Sequence, residues 1–193
     1  CIRDRVNEDA ESREFYCDVI MDEASKMNQM VKNLLTLNQL EFGDEDIVFE
    51  RFNLTALVKG VLQSMEIMAD QAGAKIMLHT EEDIYAWADE FKVEQVVRNY
   101  VSNACHHVSG DMVIEVKMVQ KDGKVRVSVF NTGNPIPEAD APHIWDKFYK
   151  VDKAHTREYG GNGIGLSIVK AIMKSFNQEL SLIHISEPTR LRC

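Results

Sequence analysis

The sequence predicts an α+β fold, a two-layer α/β sandwich preceded by one long helix. Helical and strand-like apolar patterns follow one another through residues 47–176 without strict alternation, which favours one layer of helices against one sheet. A separate helical pattern fills residues 12–42 and contains neither proline nor glycine. With 193 residues, of which 45% are hydrophobic, the chain is long enough for one ordinary domain and a helical appendage.

Charge and cysteine spacing exclude several classes of function. The net charge of −9 argues against a nucleic-acid partner, because phosphate backbones are bound mainly through Lys and Arg. The four cysteines lie far apart and form no CxxC pair, so neither a zinc site nor a disulfide framework is expected. No apolar run approaches the roughly 20 residues that span a bilayer.

The N-terminal helix has an apolar stripe that needs a partner. After Ser12, a candidate N-cap, apolar residues recur at helical spacing from Tyr16 to Leu40, which predicts one helix of about 28 residues. Since no second helix of similar length is predicted, we expect its partner outside this chain or on another protomer.

The remaining pattern predicts a mixed set of short elements and one long loop. Helices are expected at 54–71, 91–108 and 164–176, and strands at 47–52, 75–79, 84–88, 112–119 and 125–130. Residues 134–162 show little periodicity, and loops of that length in a compact domain are usually functional lids or disordered.

The helix at 91–108 carries a row of polar side chains beside its apolar face. Gln95, Asn99, Asn103 and His106 are spaced so that they fall within an arc of about 80°. Amide oxygens can ligate Mg²⁺ and side-chain donors can reach phosphate oxygens, so the row suits a magnesium-bound polyphosphate. An ordinary solvated face remains the alternative.

A glycine cluster, residues 160–166, opens the last helix. Gly161, Gly163 and Gly165 allow the backbone to approach a ligand, and the helix N-terminus attracts anions. No GK[ST] follows, so this is not a Walker A loop. A flexible hinge before a helix is the alternative.

Two further groups could contact a nucleotide. Asn131 and Gly133 follow the strand at 125–130, where a polar side chain can meet the edge of a ligand; a plain turn is equally compatible. The long loop places aromatic residues among cations that could cover a nucleotide and meet its phosphates, although a solvated loop is the alternative. These loop residues are Lys147, Phe148, Tyr149, Lys150, Lys153 and Arg157.

In this order the motifs resemble the N, G1, F and G2 boxes of histidine kinases, which belong to the GHKL (Bergerat) ATP-binding fold. The resemblance covers about residues 12–178, and residues 15–43 resemble the second helix of the kinase dimerisation hairpin. The matching segments read QVVRNYVSNA from Gln95, NTG from Asn131, Phe148-Tyr149, and GNGIGL from Gly161 through Gly163, Ile164 and Gly165 to Leu166.

This resemblance implies a protein histidine kinase that uses ATP and Mg²⁺. Asn103 would be the Mg²⁺ ligand, and Asn99 would help to place the metal or the phosphates. His106 stands where the family often has Lys or Arg, and Asn131 stands where it usually has the Asp that accepts from the adenine amine. Lys150 would be the cation near the phosphates.

Two other functions remain open alongside the kinase. A GHKL ATPase that hydrolyses ATP is disfavoured, because Asn99 occupies the position where gyrase-like ATPases carry a Glu that activates water, and an amide cannot act as that base. A degenerate, non-catalytic dimerisation and interaction module would fit the altered G1 box and His106.

The resemblance also implies an organisation and partners. Residues 1–43 would be part of a dimerisation hairpin, with its helix at about 12–42, and residues 44–179 an ATP-binding domain truncated at its C-terminus. Residues 180–193 resemble a translated sequencing adaptor. By this resemblance, the phosphoacceptor His would lie on a hairpin helix that this sequence does not contain. We expect a homodimer, a response regulator receiver domain as partner, and a cytoplasmic position in a plasma-membrane protein anchored by a missing upstream segment.

Overall fold

A computed structural model describes residues 10–43, 47–151 and 163–182. In chain order, the elements within these ranges are α1 (Ala10–Phe42), β1 (Glu50–Asn53), α2 (Leu54–Ser64), α3 (Glu66–Gln71), β2 (Lys75–His79), β3 (Tyr85–Ala88), α4 (Glu90–His107), β4 (Val113–Lys121), β5 (Lys124–Asn131) and α5 (Gly165–Ser175). Across these ranges, no helix combines the length and the apolar character that crossing a bilayer requires.

The predicted α+β sandwich is confirmed, although its strands divide between two sheets. In the larger sheet β4 is central, parallel to β2 and antiparallel to β5. In the smaller sheet β1 pairs antiparallel with β3, and Phe52 lies opposite Ala86. The inward side chains of β4, Ile114 and Val116, are completely buried against the helical layer.

The first predicted helix of the domain is interrupted at Met65, which separates α2 from α3. Met65 is buried, and its N–H group bonds to both Val61 O and Leu62 O, at 3.1 and 3.0 Å. This tight turn directs α3 back towards β2 and allows the Met65 side chain to enter the core. The single helix predicted for residues 54–71 was therefore wrong at this residue.

Helix α1 begins two residues before the predicted cap and is partly covered within the chain. Leu34 and Leu37 in its C-terminal half pack with Ile168 and Ile172 of α5. Towards its N-terminus large apolar side chains remain exposed, for example Ile20 at 66%. Helix α5 thus covers part of the stripe for which the sequence predicted a partner outside the chain.

Helix α4 belongs to both hydrophobic cores and so fixes their relative position. Val97 and Val101 pack into the core between the helices and the larger sheet, whereas Val96 packs with Ile164 and Ile168 of the segment that leads into α5. Polar residues on the same helix are consequently held at the junction of the two cores.

Candidate functional site

Asp89 starts helix α4 and fixes the chain in front of it. Its Oδ1 accepts a hydrogen bond from Lys92 N at 3.1 Å, which is an N-cap interaction, and its Oδ2 accepts from Val48 N at 3.3 Å. Asp89 is 7% exposed, so its carboxylate depends on these donors. These two hydrogen bonds therefore fix the N-terminal end of α4, the helix that carries the polar row.

Asn99 of α4 lies directly against the first residue of α5. Its Nδ2 donates to Gln95 O at 2.8 Å, which determines the orientation of the amide. A Cβ atom placed on Gly165 would lie only 2.9 Å from Asn99 Oδ1. The structure thus brings together two of the predicted groups, the amide row and the glycine cluster, at a point where only glycine fits without a shift.

Asn103 and His106 continue the row towards the C-terminal end of α4. The Asn103 side chain is half-buried, and the described residues provide no hydrogen-bond partner for it, so its amide is available to a ligand. His106 Nδ1 lies 2.6 Å from Ser102 O and must carry a proton to bond there. Of the two ring nitrogens, only Nε2 is then left for a ligand.

The segment at Phe148 packs on the described part of the glycine cluster. Phe148 N donates to Gly163 O at 2.8 Å. Gly163 has a φ of +64°, and an added Cβ would lie 2.9 Å from Phe148 C and 3.0 Å from Tyr149 O. Both the backbone conformation and the close approach require glycine here.

The N-terminus of α5 begins at a buried residue and lacks a side-chain cap. Ile164 precedes the helix, is completely buried, and makes no capping hydrogen bond with its side chain. Leu166 lies half-buried in the first turn. N–H groups at such an end are suited to binding an anion.

Tyr149 already uses its hydroxyl group within the chain. The hydroxyl donates to Asp140 Oδ1 at 2.5 Å, and the ring lies 5.4 Å from that of His143. The hydrogen bond to the Asp140 carboxylate raises the pKa of Tyr149. The neighbouring Lys150 is half-buried. Tyr149 can therefore offer a ligand its ring rather than its hydroxyl.

Asn131 and Gly133 bring the end of β5 against the C-terminal end of α4. Asn131 Nδ2 donates to His107 O at 3.3 Å and to Thr132 O at 3.2 Å, which leaves Oδ1 as its free acceptor. A Cβ on Gly133 would lie 2.5 Å from His107 O. Thr132 Oγ1 accepts from Val113 N at 3.0 Å and so fixes this strand end to β4.

Within the described residues, the amide row meets the glycine cluster at Asn99 and Gly165, Phe148 bonds to Gly163, and Asn131 lies against the C-terminal end of α4 at His107. Gly161, Lys153 and Arg157 lie outside the described residues. Sequence reasoning missed Asp89 and Asp140, which hold α4 and Tyr149 in place. The sequence does contain a signal for Asp89, since Asp before Glu at the start of an apolar helical pattern is a typical N-terminal signature.

A metal at this site would need oxygen ligands from the nucleotide. No cluster of three or more His, Cys, Asp or Glu side chains suited to a metal occurs within residues 10–43, 47–151 and 163–182. The Asn103 amide oxygen is a suitable hard ligand for Mg²⁺, which in proteins is commonly bound by few side chains together with phosphates and water. The residues present therefore fit a nucleotide-bound Mg²⁺.

Comparison with protein families decides the identity of this domain. The family model for the histidine kinase-, DNA gyrase B- and HSP90-like ATPases matches residues 88–192, more than half of the chain. The chain belongs to this ATPase family. The resemblance predicted from the four motifs is confirmed, and the matched range contains α4, β5, Phe148 and the glycine cluster.

Relatives of this ATPase domain among curated proteins are sensor kinases. The sensor histidine kinase WalK of Bacillus subtilis is 27% identical over 164 residues, which cover 84% of this chain and 27% of that protein. The sensor histidine kinase YkoH of the same organism is 30% identical over 166 residues, or 86% of this chain and 35% of that protein. The chain thus spans about a third or less of the length of these relatives.

Solved histidine kinase structures have the same fold as this ATPase domain. The nucleotide-free catalytic domain of the histidine kinase ThkA is 31% identical and superposes with a TM-score of 0.58, covering 66% of this chain and 81% of that one. Full-length ShkA in complex with AMPPNP superposes with a TM-score of 0.71 over 88% of this chain and 35% of that one, at 22% identity. The predicted fold is therefore confirmed.

Proposed function

We propose that this chain is the ATP-binding part of a sensor histidine kinase and binds ATP with Mg²⁺ between α4, α5 and the segment at Phe148. One observation carries the proposal: Asn99 of α4 contacts Gly165, while Gly163 of the same cluster bonds to Phe148. These contacts between segments that are far apart in sequence support a single site with amides, glycines and an aromatic cover as its walls.

The residues of this site suit the separate parts of the nucleotide. The Asn131 Nδ2 group donates to two backbone carbonyls, which leaves the Oδ1 atom as the acceptor. That atom would accept a hydrogen bond from the adenine amine. The uncapped N-terminus of α5 would receive phosphate oxygens. Asn103 would hold Mg²⁺, which when bound neutralises phosphate charge during transfer.

Phosphoryl transfer fits the site better than hydrolysis does. The amide of Asn99 cannot remove a proton from water, and its Nδ2 is already bonded to Gln95 O. Catalysis of this type depends mainly on position and charge. In the whole protein, we propose that the γ-phosphoryl group passes to a histidine outside this chain and then to an Asp of a response regulator.

The partners and the location belong to the same proposal. The exposed apolar residues of α1, among them Phe15 and Ile20, fit a homodimeric helical hairpin. The histidine kinase ThkA has been solved in complex with the response regulator TrrA, and that kinase is 28% identical with a TM-score of 0.64, covering 77% of this chain and 45% of that one. The relatives are named as sensor kinases, and we propose that this chain is the cytoplasmic portion of a plasma-membrane sensor.

The test is transfer of label from [γ-³²P]ATP to the full-length protein. We expect an acid-labile, base-stable phosphohistidine, which Asn103→Asp abolishes because a carboxylate changes the charge at the metal ligand. Gln120→Glu makes the same amide-to-acid change at an exposed position of β4 and should label normally. Normal labelling of the Asn103 variant would contradict the proposed site.

The two alternative functions give different results in the same assay. A hydrolysing ATPase would release phosphate steadily without a labelled intermediate. A non-catalytic module would give neither label nor binding of AMPPNP in isothermal titration calorimetry. His106 favours this second candidate, because its Nδ1 already bonds to Ser102 O and is not available to a phosphate.

A further inference from the structure

Phe148 has a backbone conformation that the packing of its own side chain does not explain. Its φ is +64°, in the left-handed region that is unfavourable for a residue with a Cβ atom. The side chain is 51% exposed, so burial of the ring does not offset this strain. A strained residue persists only where its surroundings hold it, and such residues cluster at functional sites. Contacts of the neighbouring residues must therefore hold Phe148 in place.

The strained conformation brings the backbone of Phe148 against the glycine cluster. Phe148 N donates to Gly163 O at 2.8 Å, and a Cβ on Gly163 would lie 3.0 Å from both Phe148 Cα and Tyr149 O. A return of Phe148 to an ordinary negative φ would turn its two peptide groups relative to each other by roughly 120°. Phe148 N and Tyr149 O could then not both remain against Gly163.

The hydroxyl of Tyr149 ties this segment to a fixed turn. It donates to Asp140 Oδ1 at 2.5 Å, and hydrogen bonds to a carboxylate are stronger than those between neutral groups. The backbone carbonyl of Asp140 accepts from His143 N and Ile144 N at 2.8 and 3.2 Å. Because Ile144 is buried, the turn that carries the Asp140 carboxylate is anchored in the domain.

Two ion pairs in the same segment are weaker tethers. The side chains of Lys147 and Glu41 are 45% and 30% exposed, and those of Lys170 and Asp146 are 56% and 51% exposed, with a distance of 3.9 Å between Lys170 Nζ and Asp146 Oδ1. Exposed ion pairs of this kind contribute little to stability. The half-buried hydroxyl of Tyr149 is thus the main side-chain tether next to Phe148.

We propose that Asp140 is a positioning residue of the nucleotide site. By holding the Tyr149 hydroxyl, it keeps Phe148 in the left-handed conformation that bonds to Gly163. The exposed ring of Phe148 is then left free to cover a nucleotide. This inference rests on the proposed function of the site.

The direct test is hydrogen exchange of the backbone amide of residue 148, followed by NMR on the 193-residue chain without nucleotide. We expect Tyr149→Phe to speed this exchange about 2- to 12-fold, which is the range that the net contribution of one hydrogen bond gives. Tyr85→Phe is the matched control, because Tyr85 is exposed and its hydroxyl bonds to none of the residues that the structure describes. The control should leave the exchange unchanged, and equal effects of the two variants would overturn the role of Asp140.

A double-mutant cycle tests whether Asp140 acts through Tyr149. Asp140→Ala should speed the exchange as much as Tyr149→Phe does, and the double variant should exchange no faster than either single variant. Asp140→Asn keeps an acceptor oxygen and should restore most of the protection. Additive effects in the double variant, or an Asp140→Asn chain as poorly protected as Asp140→Ala, would contradict the proposal.

Phe148→Gly tests whether the tether offsets backbone strain. Glycine adopts a positive φ about as readily as a negative one, so residue 148 would no longer need the tether. In the Phe148→Gly background, Tyr149→Phe should therefore change the exchange of the residue-148 amide by less than about twofold. An effect as large as in the presence of Phe148 would show that the strain plays no part.

The consequence for the site is measured as the affinity for AMPPNP with Mg²⁺ by isothermal titration calorimetry. Tyr149→Phe and Asp140→Ala should each weaken binding by about 2- to 12-fold, and Tyr85→Phe should bind like the unaltered chain. If the unaltered chain binds AMPPNP and both variants bind it equally well, Asp140 does not position the site. If the unaltered chain binds no AMPPNP although the exchange changes as expected, the proposed function is overturned instead.

Discussion

Replacing Gly163 by Ala should damage the site through a free-energy cost that can be worked out from its surroundings. A left-handed conformation costs a residue with a Cβ about 1–2 kcal/mol, and Gly163 has a φ of +64°. The new methyl group would also lie 2.9–3.0 Å from backbone atoms of Phe148 and Tyr149. Loss of the Phe148 N to Gly163 O bond adds about 0.5–1.5 kcal/mol.

The free-energy costs of Gly163→Ala total about 1.5–3.5 kcal/mol and should appear as weaker nucleotide binding. If AMPPNP requires the native conformation of this segment, the Gly163→Ala chain should bind it about 10- to 300-fold more weakly. Isothermal titration calorimetry with Mg²⁺ present measures this loss, and denaturant unfolding checks that the variant remains folded.

Gly123→Ala is the control for backbone conformation alone. Gly123, in the β4–β5 hairpin, has a φ of +72° but no atom within 4 Å of an added Cβ. Its alanine variant should lose about 1–2 kcal/mol of stability and keep its AMPPNP affinity. Equal affinities of the Gly163 and Gly123 variants would refute the argument that Gly163 shapes the nucleotide site.

Three further predictions concern the surroundings of the site. Asn131→Asp should destabilise this chain by about 1–3 kcal/mol in thermal unfolding, because a carboxylate would face the carbonyls of His107 and Thr132. Unchanged stability would show that the Asn131 hydrogen bonds are unimportant. Leu37→Ala should lower the free energy of unfolding by about 2–5 kcal/mol, since Leu37 is 2% exposed in the core with α5. Leu35 is exposed, so Leu35→Ala should lower it far less, and similar losses would contradict the α1–α5 packing. Burial raises the pKa of Tyr100 to about 12, so the folded state holds this proton more tightly than the unfolded state. The free energy of unfolding should therefore fall between about pH 10 and 12. Tyr100→Phe should remove that part of the decrease, and a pH profile identical to that of the unaltered chain would contradict the prediction.

Local patterns predicted most of the fold because they depend on neighbouring residues. The hairpin between β4 and β5 was evident from alternation around Lys121, Asp122 and Gly123, and the structure places the turn there. The break at Met65 was not evident, because its helical pattern is continuous. Tertiary burial of this side chain, rather than local propensity, ends α2.

The site was predictable as a set of residue types but not as a set of contacts. Asn99 and Gly165 could be named from their motifs, yet their contact depends on the packing of α4 against the segment that starts α5. The bond from Lys147 to Glu41 joins residues more than 100 positions apart and has no local sequence signal. The hydrogen bond that occupies the Tyr149 hydroxyl likewise follows from the fold of the loop.

We propose that α4, the end of β5 and the start of α5 surround one metal–nucleotide site. The most direct measurement is paramagnetic broadening of backbone amide signals by Mn²⁺ with AMPPNP in place of Mg²⁺. We expect strong broadening at Asn99, Asn103, Gly163 and Gly165, with little at the distant β4–β5 hairpin around Gly123. Broadening in only one of the two helices, or broadening elsewhere on the chain, would show that they do not share a metal–nucleotide site.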